Sequence, residues 1–140
     1  MERLDRYLIG FVLAHFLVTL VHATAHFALQ IVPVGLDLGF ILGVILIGPL
    51  VALVILRFNP PLAAALLAVL MGASFVYGLV SHFLVPGPDN VALIGSSTWT
   101  VLFVATASLL GFLEASGLLV AVIAFWTAAR TPSGPVARVG

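Results

Sequence analysis

The chain has 140 residues, of which 63% are hydrophobic and only 7% are charged, and its mean hydropathy is +1.32. Soluble domains carry about 25% charged residues, so this composition excludes a soluble globular protein. Five basic residues balance five acidic ones, and a net charge of zero provides no field that would attract nucleic acid. Cysteine is absent, which excludes thiolate ligation of a metal and an iron–sulfur cluster held by this chain alone.

Four apolar stretches approach or exceed the ~20 residues that a helix needs to cross the hydrocarbon core of a bilayer. They predict helices over about 8–32, 38–58, 61–85 and 97–129. The segment 86–96 is rich in Pro and Gly and is predicted to be an external loop, and 130–140 a short cytoplasmic tail. No internal repeat or second domain is evident. The sequence therefore predicts one all-α transmembrane domain over 1–140, an integral membrane four-helix up-down bundle.

The basic residues predict the orientation of this bundle. Four spans place both termini on one side of the membrane, together with the turn between the second and third helices. All of the basic residues fall on that side, and they are Arg3, Arg6, Arg57, Arg130 and Arg138. The opposite side holds Asp37 and Asp89. Because basic residues are enriched on the cytoplasmic side, we predict cytoplasmic N- and C-termini in a multi-pass protein of the cell membrane.

The second helix has two features that predict its packing. Gly35, Gly39 and Gly43 recur every four residues, a spacing that lets another helix approach closely. Pro49 lies inside the same span. Because proline removes one backbone hydrogen bond, we expect a kink near the carbonyl of Ile45.

The first helix carries a polar stripe that is unusual for a membrane span. His15, Thr19, His22, His26 and Gln30 are separated by four, three, four and four residues, so they share one helical face. His22 and His26 form an i,i+4 pair, the spacing at which two imidazoles can ligate one metal ion.

Residues at a similar predicted depth in the membrane are candidate partners of this pair. Counting ~1.5 Å per residue from the cytoplasmic boundary places His82 level with His26, with Asp89 just beyond it on the loop. The same count places Glu114 close to the level of His22. We therefore predict a metal site in the external half of the bundle. Its ligands would be His22, His26 and His82, with a carboxylate from Glu114 or Asp89, and this set suits zinc, copper(II) or iron.

Two other interpretations of these histidines remain open. A four-helix bundle can hold one b-type haem between imidazoles of two helices, and His82 could pair in this way with His26 or His22. Alternatively, histidines in membrane helices often only form hydrogen bonds between helices. His15 has no predicted partner in the inner half and is interpreted as a packing residue.

Glu114 is the most informative single residue, because a carboxylate in mid-membrane is costly unless it is paired or protonated. His22 is its first candidate partner, followed by His15 and Tyr77. As a functional residue Glu114 would be a proton relay or a metal ligand. As a structural residue it would form a buried hydrogen bond that holds the fourth helix on the first.

The first functional hypothesis is a small membrane protein that binds a transition metal or one haem, with a redox or metal-handling role. The alternative is a non-catalytic structural or assembly subunit of a larger membrane complex. A third is a proton-coupled transporter that works as an oligomer. The expected partners are the lipid bilayer and membrane partner subunits or further copies of the chain, and not nucleic acid. Whether the protein is an enzyme is left open by the sequence.

Overall fold

The computed structural model describes residues 2–130, which fold into four long helices and the short segments that join them. We number them α1 (Glu2–Ala28), α2 (Gly35–Leu56), α3 (Pro60–Leu84) and α4 (Thr98–Arg130). No strand occurs in this part of the chain. All four helices are long and apolar enough to cross a membrane, which confirms the all-α prediction. Of the predicted tail over 130–140, only Arg130, the last residue of α4, lies within the described residues.

The bounds of α1 differ from the predicted helix over 8–32. The helix begins at Glu2, six residues earlier, and ends at Ala28. It ends early because Gln30 adopts a left-handed backbone conformation, with φ of 58°, which a helix cannot continue through.

The helices pack around α4, which has its most extensive contacts with α3 and α1. α2 packs mainly on α3 and contacts α1 much less. Small residues permit the close approach of α3 and α4. Ala63 and Ala64 are buried, and a Cβ atom added at Gly117 would lie 3.5 Å from the side chain of Met71. In a bilayer such close packing replaces the hydrophobic effect as the force that holds helices together.

The glycine face of α2 has no packing partner within the described chain. A Cβ atom at Gly35, Gly39 or Gly43 would have no atom of the described chain within 4 Å. No helix of the described chain approaches α2 closely at these glycines, so approach by another helix stays a prediction. Spacing identifies one face of a helix, but it does not say whether the partner of that face lies in the same chain.

The region around Pro49 adopts a π-helix rather than a simple proline kink. Ile41–Ile47 form a π-helical segment between the α-helical parts Gly35–Phe40 and Gly48–Leu56. The segment contains Ile45, where the sequence predicts the disruption. A π-turn inserts one extra residue into the helix. The π-helical segment lies directly before Pro49, which has no N–H to donate to the preceding turn.

The bundle interior is divided into an apolar half and a polar half. The apolar core includes Leu8 and Val12 of α1, Leu67 and Met71 of α3, and Ala121 of α4. The buried polar side chains of the described helices lie further along α1 and α3 and earlier along α4, and they are His15, Thr19, His22, His26, Ser74, His82, Thr106 and Glu114. The apolar half holds the helices together, and the polar half contains the candidate site.

Candidate metal centre

Three buried histidines converge on one point in the polar half of the bundle. The Nε2 atom of His22 lies 3.1 Å from Nε2 of His26 and 3.4 Å from Nε2 of His82. One ligand atom from each residue lies within 4.8 Å of the other two, so the group could hold a metal ion. The structure thus brings together the three histidines that the sequence proposes as ligands, from two different helices.

The end of α1 fixes the orientation of the His26 ring. After Ala28 the chain turns back through Gln30, whose φ of 58° is rare for a residue with a side chain. This turn places the carbonyl oxygen of Ile31 2.8 Å from Nδ1 of His26. Non-glycine residues in this conformation cost about 1–3 kcal/mol and are concentrated at functional sites.

His82 lies in a second π-helical segment, Val80–Leu84, which ends α3. The N–H of Val85 donates to the carbonyl of Val80 at 2.9 Å, which closes the wider turn. Single π-turns are frequent at functional sites because they re-aim one side chain without ending the helix. In this case the turn carries the His82 side chain toward α1.

The loop after α3 completes the surroundings of His82. The buried side chain of Asn90 donates to the carbonyl of Val85 at 3.0 Å and accepts from the N–H of Ala92 at 3.0 Å. These bonds fold the loop back onto the helix, so that the carbonyl oxygen of Asp89 lies 3.1 Å from Nδ1 of His82.

The third ring is oriented from α4. Nδ1 of His22 lies 2.8 Å from the hydroxyl oxygen of Thr106. That hydroxyl lies 2.7 Å from the carbonyl of Leu102 and 3.1 Å from the carbonyl of Phe103. Since carbonyl oxygens only accept, the Thr106 proton is donated to the backbone, and its oxygen accepts from His22.

These bonds determine where each neutral ring carries its proton. Ile31 and Asp89 present carbonyl oxygens to His26 and His82, and the Thr106 oxygen accepts from His22. Each Nδ1 is therefore the donor, and each Nε2 carries the lone pair. The lone pair of His22 then faces those of His26 and His82 at 3.1 and 3.4 Å with no proton between them. Such an arrangement is repulsive unless a cation lies among them.

The spacing of the Nε2 atoms matches one metal ion. With zinc–nitrogen bonds of 2.0–2.1 Å, two ligands of a tetrahedral ion are roughly 3.3 Å apart. The contacts of 3.1 and 3.4 Å that His22 makes with His26 and His82 bracket this value. Metal-ligating histidines also donate their second N–H to a carbonyl, carboxylate or water, which fixes the ring. His26 and His82 have carbonyl partners in this position, and His22 has the Thr106 hydroxyl.

One side of the three-histidine group is closed and the other is open. Phe103 is fully buried, and its ring centroid lies 4.8, 4.9 and 5.2 Å from the ring centroids of His22, His26 and His82. The histidines also line a cavity of about 230 Å³, of which Phe103 is not a part. A metal held by three protein ligands would have its fourth position on the side of this cavity.

Glu114 does not pair with His22, as the sequence had suggested. Its Oε1 atom lies 3.1 Å from Nε2 of His15, and both side chains are buried. His15, the second candidate that the sequence offered, is the partner of Glu114. The interpretation of His15 as a residue that only packs in the inner half is therefore replaced by a buried hydrogen bond between α1 and α4. The metal-capable group contains three histidines without Glu114.

Asp89 lies beside the histidines but outside their point of convergence. Its carboxylate Oδ1 is 3.9 Å from Nδ1 of His26, on the side of the ring that faces away from the other Nε2 atoms. Its main-chain carbonyl orients His82. In this arrangement Asp89 supports two rings from outside, which differs from the direct ligation that the sequence suggested.

Sequence reasoning missed the residues that orient the rings. Thr106, Phe103 and Asn90 were not singled out, and no short motif marks them. The only signal was indirect, since the segment Val85-Pro86-Gly87-Pro88-Asp89-Asn90 predicts a stiff, ordered loop.

No protein-family model matches this chain, and comparisons with the curated proteins and with the solved structures found no match either. The function must therefore be inferred from the site itself.

The role of Thr106 can be tested by replacing it with valine, which keeps the shape and removes the acceptor for His22. Loss of such a supporting bond typically weakens metal binding by about 10–100-fold. We expect a loss in this range for Thr106→Val, measured as the zinc dissociation constant by competition with a coloured chelator. Thr24→Val is the matched control, because Thr24 is exposed and bonds only the Leu20 carbonyl of its own helix. Equal affinity in both variants would contradict the assigned role.

Proposed function

We propose that this protein is an integral membrane protein that binds one transition-metal ion through Nε2 of His22, His26 and His82. The observation that carries the proposal is the set of three lone pairs directed at one point, each fixed by a hydrogen bond on the far side of its ring. Imidazole ligands without sulfur favour zinc, copper or iron.

A single ion fits the geometry better than a haem. A haem held between imidazoles of two helices needs those imidazoles on opposite faces of a flat macrocycle. Here, three Nε2 atoms point at one another, with the contacts of His22 at 3.1 and 3.4 Å, and the Phe103 ring packs directly against the group. Haem binding stays the alternative prediction, and a Soret band in the purified protein would reveal it.

The open fourth position favours a reactive metal centre over a purely structural one. Structural zinc sites are closed by four protein ligands, whereas catalytic sites use three and leave one position for water or substrate. The described chain offers three histidines at the site, and the cavity lies beside them. The proposed role is metal-centred chemistry on a ligand that enters this cavity.

The proposed orientation in the cell membrane follows from the arginines. In an up-down arrangement, Arg3, Arg6, Arg57 and Arg130 fall on one side, and the loop that carries Asp89 falls on the other. The positive-inside rule then makes the arginine side cytoplasmic. The metal centre would lie in the external half of the bundle.

The orientation can be measured with single cysteines, because the natural chain has none. In intact cells we expect Ser96→Cys to react with a membrane-impermeant maleimide, since residue 96 is exposed in the loop before α4. Phe58→Cys, exposed in the turn between α2 and α3, should react only after the cells are opened. The reverse pattern would contradict the proposed orientation.

Metal binding can be tested directly by elemental analysis. Protein purified in mild detergent without chelators should contain about one zinc, copper or iron atom per chain. His82→Asn should lose most of this metal because it removes one of three ligands. His15→Asn is the matched control. His15 is a buried histidine like His82, but it belongs to α1 and pairs with Glu114.

Two outcomes of this measurement would overturn the proposal. One is wild-type protein with neither metal nor haem that also fails to take up added zinc, copper or iron. The other is a His82→Asn variant that retains as much metal as His15→Asn. Circular dichroism of both variants establishes that the helices remain folded.

A second candidate function is that of a subunit in a larger membrane complex. The observation that favours it is the outward-facing glycine stripe of α2, where Gly35, Gly39 and Gly43 have no neighbour in the described chain within 4 Å of an added Cβ. Such stripes allow close packing of another transmembrane helix. This role is compatible with a metal centre, because the stripe and the histidines occupy different surfaces.

A further inference from the structure

The cavity beside the histidines has the size of a small ring. Its volume is about 230 Å³, and it extends from His82 to Glu114 between the helices. An engineered apolar cavity of about 150 Å³ is large enough to bind benzene. The present cavity can therefore hold one substituted six-membered ring.

The entrance to the cavity faces the lipid. Leu20 and Phe27 of α1 and Leu38 and Leu42 of α2 line the cavity, and they are also 45%, 67%, 40% and 43% exposed on the outside of the bundle. The cavity thus opens between α1 and α2, which contact each other much less than α1 contacts α4. Because the rim is apolar, a ligand would enter from the hydrocarbon of the bilayer.

The inner wall carries a hydroxyl group that needs a partner. Ser74 lines the cavity and is fully buried, and its Oγ atom has no hydrogen-bond partner within the described chain. A buried hydroxyl without a partner is costly. One turn further along α3, Gly78 leaves room for Oε2 of Glu114, which would lie 3.8 Å from an added Cβ atom. The cavity therefore has a polar end at Ser74 and Glu114, opposite the histidines.

The lining selects a neutral, flat ligand. It contains the rings of Phe27, Phe75, Tyr77 and Phe83, and no Lys or Arg. Aromatic side chains pack favourably against a flat ring. The carboxylates of Asp89 and Glu114 disfavour an anionic ligand, because no basic side chain of the lining compensates a further negative charge.

We propose that this cavity binds the ring of a lipid-soluble quinone or quinol. One ring oxygen would accept a hydrogen bond from the hydroxyl of Ser74, and in the quinol the O–H at this position would donate to Glu114. The oxygen on the opposite edge would face the three histidines. Ser74 precedes His82 by eight residues, which is about 12 Å along the helix, a separation that a ring with two opposite oxygens and a hydrogen bond at each end can bridge. The ligand's isoprenoid or alkyl tail would leave between α1 and α2. This proposal deepens the proposed function, since it names the class of ligand that reaches the open side of the metal.

The test uses decylubiquinone and the purified full-length protein in lipid nanodiscs, both metal-free and loaded with zinc. Bound quinone is measured by chromatography after the nanodiscs are separated from free ligand. We expect saturable binding with one quinone per chain. Decylbenzene, which has the same tail and no ring oxygens, should not compete.

Two variants and one control identify the site. Ser74→Ala removes one hydrogen bond and should weaken binding roughly tenfold. Leu42→Trp, at a position already exposed on the rim, should block the entrance and weaken binding further. Ser108→Ala is the control, because Ser108 is an exposed serine of α4 outside the cavity, and it should bind as the natural protein does.

The results separate this proposal from the metal proposal. Quinone binding by a protein that takes up no metal would support the cavity and overturn the metal centre. Metal uptake without saturable quinone binding would support the metal centre and overturn the quinone proposal. Equal quinone affinity of Ser74→Ala, Leu42→Trp and Ser108→Ala would overturn the assignment of this cavity even if quinone binds elsewhere.

Discussion

The structure depends on the requirement that buried polar groups find their partners within the protein. In the proposed membrane setting, water is absent from the hydrocarbon core, so an unsatisfied donor or acceptor there would cost several kcal/mol. The three buried histidines of α1 each have a specific partner. His15 bonds Glu114, His22 bonds Thr106, and His26 bonds the carbonyl of Ile31. These bonds fix the lateral position and the rotation of α1 against α4.

The same requirement produces the candidate metal centre. Satisfying Nδ1 of His22, His26 and His82 leaves three Nε2 lone pairs directed at one another. A proton could join two of these nitrogens, whereas a metal ion can bind all three at once. The local irregularities of the fold support this arrangement, namely the left-handed Gln30 and the π-turn that contains His82. Both cost stability, which is typical of a site held for function.

Separation of the interior into two halves explains how so small a bundle tolerates a polar site. In the apolar half, Ala63, Ala64 and Gly117 bring α3 and α4 into close contact. That packing leaves the other half free to widen at the π-helical segments Ile41–Ile47 and Val80–Leu84. The cavity lies between these two segments, α1 and α4. Stability and binding are thus assigned to different parts of the same four helices.

Much of this architecture could be predicted from the sequence, and the exceptions have physical causes. Helix number and the histidine group follow from hydropathy and from i,i+4 spacing, because both depend on local periodicity. The partner of Glu114 could be narrowed to His22, His15 or Tyr77 but not chosen correctly, since the choice of His15 depends on the register of α1 against α4, which local periodicity does not set.

The hydrogen-bond partners of the three histidine rings could not be predicted from local periodicity either. The Ile31 and Asp89 carbonyls belong to the backbone, which every residue has. Their roles arise only when the chain turns back at Gln30 and Asn90. The glycine stripe of α2 has no neighbour within the described chain, and its partner could not be predicted because spacing carries no information about which helix approaches.

The most direct test of the central claim is an X-ray absorption spectrum of the zinc-loaded protein in detergent. We expect a first shell of about four light ligands at roughly 2.0–2.1 Å. Three of them should show the outer-shell scattering of imidazole rings. A six-coordinate oxygen shell, or a shell with fewer than two imidazoles, would contradict the assignment of His22, His26 and His82 as the ligands.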